Sequence, residues 1–308
     1  MPATLQLRSE RTPDGIVTLW LAQPERSVIV LDQWLLDQLH LFFEWLAAQP
    51  PATGFILRSA SERSFVAGAD IAEIARLDDS GLHAYLTLGA HAFARVSRLA
   101  CPSVAVVHQT ALGGGLELAM HCDGLIAQSP PPGQKPWRVG LPEAGLGLCP
   151  GWGGTQMLPA RIDPAEAIRA AAGGTTWGID APPAGLFDEV IPHGADPHAA
   201  AIRYIRANPR VGAPTIPRSI DPGNRDAIAV ALSAVRSTLP STPAAHAVVE
   251  AVEVGLAEEW SAAIGAERRL LVALRHTPEA QERIQAFLAR SGGSGAGRGD
   301  AGTRPRAE

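Results

Sequence analysis

Lysine is almost missing from this chain. Lys135 is the only one, and arginine carries the rest of the positive charge. Against 31 acidic residues the balance is a net charge of −5, which leaves no basic surplus to hold nucleic acid or an anionic membrane. Cysteine is scarce too. Cys101, Cys122 and Cys149 are odd in number and form no CxxC pair. That excludes a disulfide framework and the common zinc patterns, and it predicts a reducing compartment. No apolar run approaches the roughly 20 residues of a membrane span. The opening Met1–Arg8 lacks the basic-then-apolar layout of a secretory leader. Together these absences predict a cytoplasmic protein. A dinucleotide fingerprint is also lacking: GxGxxG begun at Gly113 needs glycine where Leu118 stands.

What the chain does have is the composition of a soluble globular protein, 46% hydrophobic and 19% charged over 308 residues. Residues 4–8 and 16–21 are short β-rich runs parted by Asp14-Gly15, which reads as a hairpin. Leu31, Trp34, Leu35, Leu39, Phe42, Phe43 and Leu46 recur at helical spacing. Strands follow at 54–59, 103–108 and 125–128, with a helix over 80–99 and another over about 114–121. The alternation predicts a layered α/β fold. Residues 129–136 are proline-rich and read as an exposed loop. Asp163-Pro164 and Asp196-Pro197 are helix starts, with Asp as the N-cap and Pro in the first turn. A Pro/Gly-rich linker spans 209–223. Residues 224–290 read as helical, with Val248, Val252, Leu256, Trp260, Leu271 and Leu274 as an apolar spine. The polar tail 291–308 reads as disordered.

Chemistry gathers in Leu112–Thr155. The strand at 103–108 runs into Gly113-Gly-Gly115 and then a helix, and Phe65-Val-Ala-Gly-Ala-Asp70 repeats that layout. A helix start presents unpaired N–H groups, and glycine lets a ligand oxygen approach them. One amide from each turn would form an oxyanion hole for a carbonyl that becomes an enolate. Glu117 lies one turn inside the first helix among Leu116, Leu118 and Met120. Glu143 follows Pro142 at another element start. Two carboxylates facing one site divide acid and base work when burial and mutual repulsion part their pKa values. Asp70 reads as the cap of the helix at Ile71, and Asp123 as structural. His83, His91 and His121 show no ligand spacing. Cys122 and Cys149 read as small core residues.

Phe65–Asp70, Ala111–Met120 with Cys122-Asp123, and Leu141–Gly147 through Pro150–Gln156 resemble the crotonase family, above all its enoyl-CoA hydratases and the hydratase halves of multifunctional fatty-acid oxidation proteins. The resemblance spans about 15–210. It implies an α/β fold, a spiral of ββα units over 1–208, followed by a helical C-terminal region that helps form trimers or dimers of trimers. It implies that the Ala69 and Gly114 amides hold a thioester oxygen, that Glu117 and Glu143 hold and activate water, and that Glu143 exchanges the α-carbon proton. The substrate would be a 2-enoyl-CoA, with coenzyme A as part of it and no further cofactor or metal. Ala67, Gly68, Asp70 and Gly115 would line the substrate site, and Arg26 is the candidate phosphate contact. The rival readings are a Δ3,Δ2-enoyl-CoA isomerase, a dual enzyme, or a non-catalytic acyl-CoA scaffold. Any following dehydrogenation would need a separate chain, a candidate partner in a complex. The chain departs from the family at His108-Gln-Thr110, in a longer proline loop, at Trp137, and at Trp152, which stands where a small residue is common and reads as pocket wall or plain core.

Overall fold

The computed structural model describes residues 5–24, 26–210 and 216–293. The turn at Asp14-Gly15, with Gly15 at φ +91°, closes an antiparallel hairpin of β1 (Arg8–Arg11) and β2 (Ile16–Leu21). β1 therefore begins where the apolar run 4–8 ends, and residue 4 lies outside the described residues. β2, β3 (Gly54–Ser59), β4 (Ser103–Val107), β6 (Gly124–Gln128) and β9 (Glu189–Ile191) pair in parallel, in the order β1-β2-β3-β4-β6-β9. The inner strands are apolar on both faces because both are covered. Leu19, Leu57, Ala105, Val107 and Leu125 face the main core. Ile16, Ile56, Val104, Val106 and Ile126 face Ala200, Ala201 and Ile205 of α7 (Pro197–Ala207).

A second, small sheet runs β5 (Ala111–Leu112), β7 (Arg138–Gly140), β8 (Thr176–Gly178). Strands of two or three residues carry no readable periodicity, so this sheet is not foreshadowed by the residue pattern. Isolated bridges Leu31↔Ala69 and Val66↔Ala111 join neighbouring segments alongside it. The chain thus makes repeated turns, each a large-sheet strand, then a short bridging segment, then helix. β2 leads through Leu31 to α1 (Gln33–Ala47). β3 leads through Val66 and Ala69 to α2 (Ile71–Arg76) and α3 (Asp79–Ser97). β4 leads through β5 to α4 (Gly114–Met120). β6 leads through β7 to a 3-10 turn (Glu143–Leu146), α5 (Gly154–Met157) and α6 (Pro164–Gly173). This is the expected crotonase-like spiral of ββα units.

The C-terminal part is helical as read: α8 (Arg225–Val235), α9 (Pro243–Ala257), α10 (Trp260–Leu274) and α11 (Pro278–Gly293). Val248, Leu271, Leu274, Ala280 and Ile284 belong to the same core as the sheet residues. The region is therefore packed against the spiral of its own chain. α11 reaches Gly293, a few residues past the end read from sequence; residues 294–308 of the tail and 211–215 of the linker lie outside the described residues. Among the described residues no helix is long and apolar enough to cross a membrane.

Candidate active site

Two turns lie side by side because Val66 and Ala111 are bridge partners. Leu112 N–H donates to Val66 O (3.1 Å) and Phe65 N–H to Thr110 O (2.9 Å). Three residues beyond each partner stand Ala69 and Gly114. Leu31 N–H donates to Gly68 O (2.8 Å) and Asp70 N–H to Leu31 O (3.2 Å), which fixes the first turn. The buried Tyr85 hydroxyl also donates to Leu31 O, a support that sequence reading missed. Gly68, at φ +117°, has Leu112 O 3.3 Å from where a Cβ would stand. A side chain on Gly115 would strike Val66 O at 2.2 Å. Among the described residues neither Ala69 nor Gly114 donates its N–H, so both amides are free for an incoming oxygen. Ala67, Ala69, Asp70 and Leu112 are half-buried, while Gly68 and Gly113–Gly115 are buried.

Glu117 sits in the first turn of α4 and is 1% exposed. Its Oε1 accepts from the Trp152 and Gly154 amides, both at 2.8 Å. Burial raises its pKa from 4.5 to about 7, against the lowering effect of those donors.

Glu143 reaches the same place by the register of the small sheet. Gly140 pairs with Leu112, and Gly113 N–H donates to Gly140 O at 2.9 Å. The chain then turns through Pro142 and sets Glu143 Oε1 2.7 Å from where a Gly113 Cβ would stand. Glu143 is half-buried as a residue, but its Oε2 is covered and has no hydrogen-bond partner among the described residues. Burial, then the Glu117 charge, then Glu267, push its pKa well above the ordinary carboxylate value.

Sequence reading missed a third buried acid, Glu267 of α10, which is fully buried. It accepts from the Gly153 and Thr155 amides (2.6 and 3.0 Å) and from the Thr155 hydroxyl. Burial and then the Glu117 charge raise its pKa to about 8. Arg268 and Arg269 disguise it as a surface residue. Its signal was phase: Ile264, Glu267, Leu271 and Leu274 fall on one helix face, and all are buried.

Trp152 is both core and site wall. Its indole Nε1–H donates to Leu86 O (2.8 Å), and its ring packs on Tyr85 and Phe93. The ring also lies 2.4 Å from where a Gly114 Cβ would be and 2.5 Å from that of Gly89, so only glycine admits it there. Trp137 instead donates to Gln128 O (3.1 Å) and packs edge-on against Phe187, anchoring the exposed proline loop.

Asp70 caps α2, accepting from the Ala72 and Glu73 amides, and pairs with Arg26 at 3.2 Å. Arg26 also lies 3.6 Å from Asp32, so its charge is already shared by two carboxylates. Asp123 accepts from Ser103 and pairs with Arg210. His83 and His91 are exposed. His121 is buried, bonded to Ser97 Oγ (2.8 Å) and Trp152 O (3.3 Å), and burial lowers its pKa to about 4. His108 Nε2 bonds Ser61 O at 2.9 Å. The three cysteines are buried thiols.

The chain is similar to solved structures that share its fold. An enoyl-CoA hydratase from Bacillus anthracis is 24% identical with a TM-score of 0.55, covering 92% of this chain and 96% of its own. An enoyl-CoA hydratase from Bacillus halodurans is 17% identical with a TM-score of 0.63, covering 91% and 99%. A carnitinyl-CoA dehydratase from Mycobacterium thermoresistibile is 20% identical with a TM-score of 0.66, covering 92% and 89%. The model of the enoyl-CoA hydratase/isomerase family matches residues 11–208. That match spans well over half of the chain and takes in both glycine turns, Glu117 and Glu143, and on it this chain belongs to the enoyl-CoA hydratase/isomerase family, the crotonases.

Proposed function

We propose that the protein adds water across the double bond of 2-enoyl-CoA thioesters, giving 3-hydroxyacyl-CoA. The observation that carries this reading is the unequal treatment of two neighbouring acids. Glu117 Oε1 accepts two amide hydrogen bonds, which favour its ionised form, while Glu143 Oε2 accepts none. Burial and the Glu117 charge outweigh the one backbone hydrogen bond that favours ionised Glu143, so it keeps its proton. In this reading Glu143 is the proton donor and Glu117 the base.

The thioester oxygen sits between the Ala69 and Gly114 amides. Glu117 takes a proton from water as its oxygen bonds to the β carbon. The π electrons move to the thioester oxygen, forming the enolate, and the α carbon takes the Glu143 proton as the carbonyl reforms. Solvent exchange returns the two acids to their starting states. Each amide of such a hole supplies about 3 kcal/mol of transition-state stabilisation. Arg26 is the proposed phosphate contact, competing there with Asp32 and Asp70. The proposed setting is cytoplasmic, with a homotrimer or dimer of trimers, no cofactor beyond the CoA of the substrate, and a separate dehydrogenase to use the product.

A second reading, Δ3,Δ2-enoyl-CoA isomerisation, is favoured by Glu143 itself, whose Oε2 has no hydrogen-bond partner among the described residues and is suited to move one proton between carbons. The purified protein given crotonyl-CoA and a 3-enoyl-CoA decides between them. Loss of the conjugated absorbance with a product heavier by one water supports hydration. Turnover of the 3-enoyl substrate alone supports isomerisation, and tight binding with no turnover leaves a scaffold.

A further inference from the structure

Four consecutive amides, Trp152 to Thr155, are divided between two buried acids in strict alternation. Trp152 and Gly154 donate to Glu117, and Gly153 and Thr155 donate to Glu267. We propose that Glu267 is a positioning residue of the catalytic centre: it grips the 153 and 155 amides from one side so that the 152 and 154 amides are held against Glu117 on the other. The proposal rests on the reading of Glu117 as the base.

The geometry asks for this role. Successive amides reach opposite acids across a bend that Gly153 makes at φ +104°. A side chain there would strike Trp260 of α10 at 2.5 Å, so α10 presses on the bend as well. Glu267 takes both amides and the Thr155 hydroxyl, and the Gln156 side-chain amide ties that hydroxyl to Ala251 O of α9. Among the described residues no cation pairs with Glu267. Packing α10 against α5 alone would be served better by an aliphatic side chain, since an unpaired buried carboxylate is costly. The carboxylate is explained by the amides it holds.

The test is Glu267→Gln, which keeps the volume but turns an NH2 group toward an amide N–H. Thr155→Ala removes one donor, keeps both amides, and covers the case that the first variant does not fold. Hydrogen exchange resolved to single amides is expected to quicken about tenfold or more at Trp152 and Gly154, which Glu267 does not touch. With crotonyl-CoA, kcat is expected to fall roughly 10- to 100-fold, as for a misplaced catalytic group, with KM changed less than about threefold. Faster exchange confined to Gly153 and Thr155, with kcat within about twofold of wild type, overturns the proposal. If the wild type turns over no enoyl-CoA, the hydration reading fails while the exchange result still decides what Glu267 holds.

Discussion

The Trp152 main chain and side chain act in opposite directions: its amide donates to Glu117 Oε1 at 2.8 Å, while its ring fills the space against Gly114. One residue thus binds the base to the turn that offers the oxyanion amide. Because 152 follows Pro150-Gly151 and precedes Gly153-Gly154, the backbone can approach Glu117 closely while only one side chain needs room.

Trp152→Ala is therefore expected to do two things. Emptying a buried indole costs about 3–5 kcal/mol, read as a lower thermal midpoint. The space opened beside Gly114 is expected to raise kcat/KM for longer 2-enoyl chains relative to crotonyl-CoA. An unchanged ratio across a chain-length panel would show that the ring bounds no part of the acyl site.

Gly113→Ala is expected to cost activity beyond its effect on folding. Gly113 sits at φ +52° and ψ −127°, a region that costs a side-chain residue about 1–3 kcal/mol. The new methyl would also stand 2.7 Å from Glu143 Oε1 and displace it. Turnover that stays at the wild-type level in folded Gly113→Ala would show that the Glu143 position is not critical.

Stability should depend on pH in a defined direction. Glu117 and Glu267 bind protons more tightly folded, at about 7 and about 8 against 4.5 unfolded. Their contribution is complete below 4.5 and is lost as pH rises through 7 and 8. His121 runs the other way, from 6.5 down to about 4, and its contribution is lost as pH falls across that window. Between pH 4.5 and 6.5 the two acids outweigh the one histidine, so the thermal midpoint is expected to peak at roughly pH 4–5 and to decline from there toward pH 8. Glu267→Gln should flatten the alkaline limb, and a midpoint that climbs from pH 6 to 9 would contradict the three burials.

The same groups shape catalysis. kcat/KM for crotonyl-CoA is expected to rise as Glu117 ionises near pH 7 and to fall at higher pH as Glu143 loses its proton. A rate that rises steadily into alkaline solution would remove Glu143 as the acid.

Much of this was legible in the residues. Asp163 and Asp196 announced α6 and α7, and each accepts the expected first-turn amide at 2.8 Å. Glu117 stood out because its neighbours are apolar, and the two glycine turns because each follows an extended run. The small sheet was not legible, since its strands are too short to show alternation, yet its register delivers Glu143. Glu267 was hidden by distance and by its arginine neighbours, because the contact joins residues more than a hundred positions apart.

The central claim is that Glu117 and Glu143 divide the proton work of hydration. The most direct measurement is the hydration rate of crotonyl-CoA and the isomerisation rate of a 3-enoyl-CoA for wild type, Glu117→Gln and Glu143→Gln. The account predicts that Glu143→Gln loses both activities, while Glu117→Gln loses hydration by a factor on the order of 10²–10⁴ and keeps isomerisation. Full hydratase activity in Glu117→Gln would contradict it.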